Sequence, residues 1–464
     1  MAIFYFIMFL FFGQVFANVL NFSSYEEQVL KNNKFLIGLK NNIESYQKKQ
    51  QESNLIFSPY LFANFYYSDD ESEKLNPQFM GVATTVKNYE LGVKQQTAWG
   101  QQFSLSYQAQ YIGMKGTSLT SPIAYEVGPK LELTQSLWRN FFGSESRSQQ
   151  ALVKAQNAYT YYQELFQYQQ LVRQAKLLYV QTYIAKESLR LHQESLKRAE
   201  EILVWAKKRS QRQLADESDY LQAQAQVLSK EYEVKIAREN LSMVSKQFQT
   251  MRGLASESIE ENLLPIGSED LLNYTPVAEF APQADFVAFK EQMELSKNQS
   301  ILAAQKYKPT FELFGQLQYQ GRDPQYKTAD DEAWDKKNEW WVIGLRFMAP
   351  IYFLDAKDTI SAYEMQEQTA ELQLKQKEME SLSAWNNLKE QLIQNKEKLK
   401  ISKKLLSIQK RKIEVEREKL KQGRTTTYQV LMFEIDYLNA ELMNLKGVAD
   451  LLQVTTELDL YKKM

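Results

Sequence analysis

The chain has 464 residues, with 56 Lys and Arg against 57 Asp and Glu, a net charge of −1 that leaves neither a nucleic-acid footprint nor a polyacidic tail. There is no cysteine and a single histidine, His192, which excludes disulfides, thiolate metal sites, cysteine catalysis and a lipid anchor on cysteine. With only 16 Gly and 10 Pro to punctuate it, the chain is built of long elements.

Met1 to Ala17 is a dense apolar run ending in Val15-Phe16-Ala17, with small residues at the −3 and −1 places of a signal-peptidase site. It reads as a signal peptide cleaved after Ala17. An uncleaved anchor stays open, because no Lys or Arg precedes the apolar core. No later run of eighteen apolar residues occurs, so no helix spans a membrane. An exported chain without disulfides points to the periplasm or outer membrane of a Gram-negative cell.

The spacing predicts an amphipathic helix over Phe22–Gln51, with Val29, Leu36, Leu39 and Ile43 on one side. Asn54 to Ser68 is aromatic and β-prone, and a polar loop is expected over Asp69–Asn88. In Gln102–Ile112 apolar Phe103, Leu105, Tyr107, Ala109 and Tyr111 alternate with Ser104, Ser106, Gln108 and Gln110. Glu126–Leu137 repeats the alternation, with Lys130 and Glu132 on its polar side. One greasy and one wet face suit either the wall of an outer-membrane barrel or a soluble sandwich with a solvated side.

Ser144–Arg212 passes without Gly or Pro, predicting a helix of about 100 Å. After a break at Gln213-Leu214-Ala215-Asp216 the helical pattern resumes to Arg252. Residues 254–281 form the connection, and the chain then starts again. A helix over Pro282–Lys306 leads to strands over Lys308–Gln320 and Trp340–Ala349, which carry Glu312 and Arg346 on their wet sides and enclose an acidic loop. A second helix without glycine or proline follows, Asp355–Gln422, broken at Gly423 and resumed to the end.

That helix carries Leu392, Leu399, Leu406, Ile413 and Leu420 at a spacing of seven, the seam of a coiled coil. Ile401, Ile408 and Val415 make a second series roughly 200° round the helix at 100° per residue. Two seams predict neighbours on two sides, as in a closed ring of helices; a dimeric coiled coil with extra buried positions is the simpler alternative. Helix, strands, very long helix, break and helix occur twice, an internal duplication with repeats at 18–253 and 282–464. Trp138, Phe142, Trp340, Trp341 and Tyr352 at strand ends suit a membrane-interface girdle.

Four segments resemble the TolC-type outer-membrane efflux proteins, in their order and over essentially the whole mature chain. Leu131-Glu132-Leu133-Thr134-Gln135-Ser136-Leu137-Trp138, followed by Gly143, resembles the family's strand leading into its Q-P-L-F-x-G motif. Gly344 to Tyr352 resembles the second copy. Lys421 to Leu431 resembles the periplasmic hairpin tip, and Gln213 to Leu221 its first-repeat counterpart.

The resemblance implies a mainly α fold with a transmembrane β-barrel. A homotrimer would join its strands into one barrel in outer-membrane lipid, and its helices into a long periplasmic α-helical barrel. Gln213, Leu214, Ala215, Asp216, Gly423, Arg424, Thr425 and Thr426 would dock on a periplasmic adaptor, a membrane fusion protein fed by an inner-membrane pump or secretion transporter. Gln429, Met432 and Glu434 would narrow the tunnel mouth, and Lys130, Glu132, Glu312 and Arg346 would line the barrel lumen. No enzyme activity, cofactor, metal or nucleic-acid partner is implied.

Three departures accompany the likeness. Gln429 and Met432 stand where the family often carries aspartates, and Ser136 replaces the first motif's proline. An extra strand-like pair, Tyr89–Thr97 and Trp99–Ile112, would give the first repeat four strands instead of two. The expected function is an outer-membrane channel of a tripartite efflux or type I secretion system. The alternative is a periplasmic coiled-coil scaffold or adaptor without a pore.

Overall fold

The computed structural model describes residues 19–212, 216–256, 258–259, 261–264, 268–276, 279–335, 338–351 and 354–461. The expected signal peptide, the tip residues Gln213, Leu214 and Ala215, and Tyr352 lie outside the described residues.

The chain opens with β1 (Val19–Leu20), α1 (Phe22–Asn32) and α2 (Lys34–Lys49). The single helix expected over Phe22–Gln51 is therefore two. Asn33 leaves the helical region at φ −71° and ψ 109°. Its Oδ1 accepts the backbone N–H groups of Phe35 and Leu36, both at 3.1 Å, which starts α2 afresh.

Four strands follow: β2 (Tyr60–Asp70), β3 (Ala83–Gln96), β4 (Gln101–Lys115) and β5 (Ile123–Ser136). The loop expected over Asp69–Asn88 shrinks, because Thr84, Thr85 and Val86 extend β3 and the short α3 (Pro77–Met80) occupies part of the remainder. The long helix α4 (Ser144–Gln211) and α5 (Glu217–Met251) make the first helical hairpin. The connection is less irregular than expected, since β6 (Asn262–Leu263) pairs in parallel with β1 and α6 (Ser268–Asn273) follows.

The second repeat runs α7 (Ala284–Lys306), β7 (Thr310–Tyr319), β8 (Gly321–Asp323), α8 (Tyr326–Glu332), β9 (Glu339–Met348), α9 (Leu354–Lys421) and α10 (Thr427–Leu458). The acidic loop thus holds a strand and a helical turn. Helices α4 and α9 both have 68 residues, and their first residues differ by 354 − 144 = 210. Helices α5 and α10 start at the same offset, 427 − 217 = 210. Moved by that offset, β7 and β9 fall on β4 and β5. The strands with no counterpart are therefore β2 and β3, and not the pair over Tyr89–Thr97 and Trp99–Ile112 expected from the sequence.

Two compact units form, one from within residues 1–43, 163–285 and 378–464 and the other from 44–162 and 286–377, so each repeat contributes to both. In the helical unit Tyr25, Tyr179 and Phe248 form an aromatic core, with the Tyr25 and Phe248 rings stacked at 4.4 Å. The Tyr179 hydroxyl donates to the Leu20 carbonyl at 3.0 Å, which ties the β1 segment to α4. Leu392 and Leu399 of the first α9 seam pack with Leu451, Leu452, Val454 and Leu458 of α10. Leu399 is 0% exposed, whereas Ile401 is 65% and Ile408 63% exposed, so the second seam faces outward from the protomer.

The other unit is one antiparallel sheet in the order β2-β3-β4-β5-β7-β9, with β8 also pairing β5. Its register lines up like with like. Leu61, Val93, Leu105, Leu131, Leu317 and Trp341 form one row across all six strands. The neighbouring row, on the opposite face, is Phe62, Gly92, Ser106, Lys130, Gln318 and Trp340. The aromatics on the wet face lie over glycines: a Cβ on Gly92 would meet the Phe62 ring, and one on Gly344 the Phe314 ring.

At the end of α5, Arg252 is buried and grips Glu261, its Nη2 donating to Oε1 at 2.6 Å; its Nε donates to Gln28 Oε1 at 2.9 Å. The Arg252 hydrogen bond holds the Glu261 carboxyl below the usual carboxylate range. A lowered folded-state pKa gives stability that is present above the unfolded value, roughly pH 4.3, and lost as pH falls through the folded value. Glu261→Gln is expected to destabilise the helical unit at pH 7, with the gap to wild type closing in more acid solution. Urea unfolding followed by circular dichroism at several pH values measures it.

Candidate functional site: the two-faced sheet and the hairpin tips

Two regions hold the candidate residues. In the sheet, Lys130 and Glu132 on β5, Glu312 on β7 and Arg346 on β9 all point to the polar face, since Glu132 pairs with Gln316, Ser136 with Glu312, and Glu312 with Arg346. Lys130 forms an ion pair with Glu132, and Arg346 Nη1 lies 3.7 Å from Glu312 Oε2. Partly exposed pairs of this kind add little stability, and they leave charge on the surface.

The same face holds groups the sequence reading passed over. Asn64 Nδ2 donates to Glu90 Oε2 at 3.0 Å, the Ser106 hydroxyl to Glu90 Oε1 at 2.8 Å, and Gln108 Nε2 to Asn88 Oδ1 at 2.8 Å. A polar ladder thus crosses β2, β3 and β4. The opposite face is mainly apolar, and α8 covers part of it near β5, burying Val127, Ala329 and Ala333.

Of the aromatics at strand ends, Trp138, Phe142 and Trp341 are well exposed and Trp340 less so. Trp341 belongs to the apolar face and Trp340 to the polar one. Between β5 and α4 the backbone turns sharply, with Asn140 at φ 59° and Phe142 at φ 46°. Asn140 holds the turn, its Oδ1 accepting the Ser146 N–H at 3.0 Å. Gly143, at φ 75°, could carry no side chain, because a Cβ would lie 1.8 Å from the Ala98 carbonyl oxygen in the β3–β4 turn.

At the second tip α9 ends in a Schellman motif. The Arg424 N–H donates to the Lys419 carbonyl at 2.8 Å and the Gly423 N–H to the Leu420 carbonyl at 3.0 Å. Gly423 takes φ 70°, and nothing lies within 4 Å of where its Cβ would be. The Thr425 hydroxyl donates to Glu416, which also accepts from Lys419 Nζ at 3.1 Å. Thr426 then caps α10, its hydroxyl oxygen accepting the Gln429 N–H at 3.2 Å. At the first tip Asp216 occupies the N-cap position of α5 without a side-chain cap bond, and Glu217 and Asp219 place negative charge at that helix start.

The three mouth candidates separate. Gln429 and Met432 are exposed on α10, whereas Glu434 is 5% exposed. Glu434 Oε2 accepts Arg198 Nε of α4 at 2.9 Å, and its Oε1 accepts Arg417 Nε of α9 at 2.6 Å. Arg198 also lies 3.6 Å from Glu441 and over the Tyr437 ring at 5.3 Å. Burial pushes the Tyr437 hydroxyl up to about 12, helped by its hydrogen bond with Glu441. Arg198 stands 236 positions from Glu434, so no local pattern could have joined them. His192 is an interhelical residue, its Nδ1 3.2 Å from Glu233 Oε2 on α5. Among the described residues no helix is long and apolar enough to cross a membrane, and no group of three or more His, Cys, Asp or Glu could hold a metal ion.

Two long helical hairpins in tandem, each following strands of one two-faced antiparallel sheet, are the fold of the TolC-type outer-membrane channels. Solved structures of that class align along 94–95% of the chain. The outer membrane protein VceC of Vibrio cholerae matches at 14% identity and TM-score 0.63, covering 94% of this chain and 94% of that one. The Campylobacter jejuni CmeC outer membrane channel matches at 14% and 0.60, covering 95% and 86%. The open state of the Neisseria gonorrhoeae MtrE outer membrane channel matches at 15% and 0.60, covering 95% and 88%. No family model matches the sequence, and no curated protein does.

Glu434→Ala is expected to lower stability by about 3–5 kcal/mol, because it leaves two guanidinium groups partly buried without their shared carboxylate. Glu434→Gln, which keeps an acceptor oxygen, should lose less. Thermal unfolding of the helical signal in detergent measures both.

Proposed function

We propose that this protein is an outer-membrane channel that carries substrates from a periplasmic adaptor and an inner-membrane pump or secretion transporter to the cell exterior. It works as a homotrimer and by passive, gated conduction without covalent chemistry. The observation that carries this reading is the sheet, where an apolar row runs in register across all six strands and a polar ladder occupies the opposite face of the inner strands. A barrel wall between lipid and a water-filled lumen needs that arrangement, and Lys130, Glu132, Glu312 and Arg346 would then face the lumen. The exposed Ile401, Ile408 and Val415 seam supports association of copies through their helices, since an apolar stripe at heptad spacing is stable in water only when covered.

In this reading the leader over Met1–Ala17 directs export and is removed. The tips at Gln213–Asp216 and Gly423–Thr426 meet the adaptor, while Gln429 and Met432 narrow the periplasmic mouth. Glu434 acts from behind that mouth through Arg198 and Arg417. A periplasmic scaffold would use the same hairpins. It would have no need of a sheet with a broadly apolar exposed face, including Leu61, Ile343 and Leu345, all more than three-fifths exposed.

Fractionation to the outer membrane followed by single-channel recording in a planar bilayer tests the proposal. Discrete conductance steps are expected. A protein that stays soluble and never inserts would leave only the scaffold.

Gly423→Trp separates docking from folding. The open space around Gly423 admits a large side chain, and the cost is the left-handed backbone, roughly 1–2 kcal/mol. The variant is expected to assemble and insert normally, to conduct, and to lose export in cells. Loss of the assembled oligomer would assign the glycine to folding instead.

A further inference from the structure

The sheet holds one hairpin more than the duplication supplies, and no strand among the described residues pairs with either of its two edges. Strands β2 and β9 are the ends of the path, so each presents a row of unpaired N–H and C=O groups. They are of similar length, 11 and 10 residues, and nearly all of their side chains are exposed. Neither has a proline within the strand or a bulge, their charged residues lie at strand ends (Asp69, Asp70, Glu339) or on the wet face (Arg346), and both are otherwise apolar on the face they share. In hydrocarbon such an edge must be paired.

The extra hairpin is built into the wall. Leu61 and Val93 continue the apolar row of Leu105 and Leu131, and a hairpin folded away from the wall would have no such register. Its inner turn is seated on the start of α4: Gly143 leaves room for Ala98, and Gln96 Nε2 donates to the Ser146 hydroxyl at 2.6 Å.

We propose that every copy contributes six wall strands and that β9 of one copy pairs with β2 of the next, giving an eighteen-stranded barrel from three copies. The inference rests on the channel reading above and goes beyond it in fixing the closure and the width. Every neighbouring pair in the path is antiparallel and six is even, so β9 and β2 of successive copies also run antiparallel, and the ring closes without a mismatched pair. With strands about 4.8 Å apart and tilted by about 40°, eighteen strands enclose a backbone diameter of about 36 Å, against about 24 Å for twelve. The outer-membrane passage is then wide enough for bulky cargo, and Asn64, Asn88 and Glu90 belong to its polar lining.

The absence of native cysteine makes the closure directly testable. Ala63→Cys on β2 is combined in turn with Trp341→Cys, Ile343→Cys or Leu345→Cys on β9, because closure register is set between copies. The comparison series places the first cysteine on β4 as Ala109→Cys, the strand that β9 would reach in a twelve-stranded wall with β2 and β3 excluded. All are expressed as full-length chains, recovered from the outer membrane, oxidised there and run without reductant, and native mass spectrometry counts the copies. The expected result is loss of the monomer band to a covalent trimer in at least one Ala63 pair and in no Ala109 pair. Cross-linking through Ala109, a ring of two copies, or a membrane-inserted trimer that none of the Ala63 pairs links would each overturn the eighteen-stranded closure and leave the channel reading standing. A protein that never reaches the outer membrane would overturn the channel reading, and the closure with it.

Discussion

A strand in hydrocarbon has no water to satisfy its backbone, so every N–H and C=O on its edges needs a protein partner. Most features of the sheet unit follow from that constraint once a membrane is its surroundings. The alternation along each strand would then give one face to lipid and one to water, and the register keeps most rows apolar or polar across the central strands, with the aromatic Phe62 and Trp340 closing one polar row at the edges. A one-residue slip at any ladder would carry Leu105 or Leu131 to the wet face and Ser106 or Lys130 to the greasy one. The turn at Asn140–Gly143 is held in a strained conformation because it joins a strand fixed by this register to a helix whose first turn Asn140 caps.

Helix α9 applies the same division of labour with a period of seven. Its leucine seam is consumed within the chain, against α10, and its isoleucine seam is left outside. A single buried seam would make a two-helix hairpin and nothing more. The second seam turns the hairpin into a stave that needs neighbours, and that need is independent of the sheet's bare edges. Both halves of the molecule therefore leave surfaces for neighbours to cover, which in the proposed trimer are copies of the chain: the helices through apolar side chains, the sheet through backbone groups.

Much of this was legible in the sequence because it is periodic. Strands β4, β5, β7 and β9 announce themselves by alternation, cleanest in β4 and β5, and α4 and α9 by nearly seventy residues without Gly or Pro. The Schellman turn was legible through Gly423, since a left-handed residue between two helices is nearly always glycine. What escaped has a local or a distant cause. Asn33 breaks a helix by a side-chain hydrogen bond that competes with the backbone, in a stretch whose apolar spacing runs straight through. The beginning of β3 is polar and reads as loop until β2 and β4 are placed on either side of it. The clamp on Glu434 joins residues from three helices, and only the folded chain brings Arg198 beside Arg417.

The clamp also changes what the tips can do electrostatically. Glu434 is the carboxylate nearest to Gln429 and Met432 along α10, yet both of its oxygens are occupied by guanidinium groups, and a carboxylate so engaged adds little field to a neighbouring aqueous path. Gln429 and Met432 themselves are neutral. If these positions ring the mouth in the proposed trimer, the constriction is polar and apolar in character without a charged ring, and binding there of a divalent cation has no carboxylate cage to rely on. The fixed charge of the proposed path would then reside in the sheet, where Lys130, Glu132, Glu312 and Arg346 pair opposite signs and Glu90 adds a carboxylate held by Asn64 and Ser106. A passage arranged in this way separates cargo by width and by polar contact more than by charge.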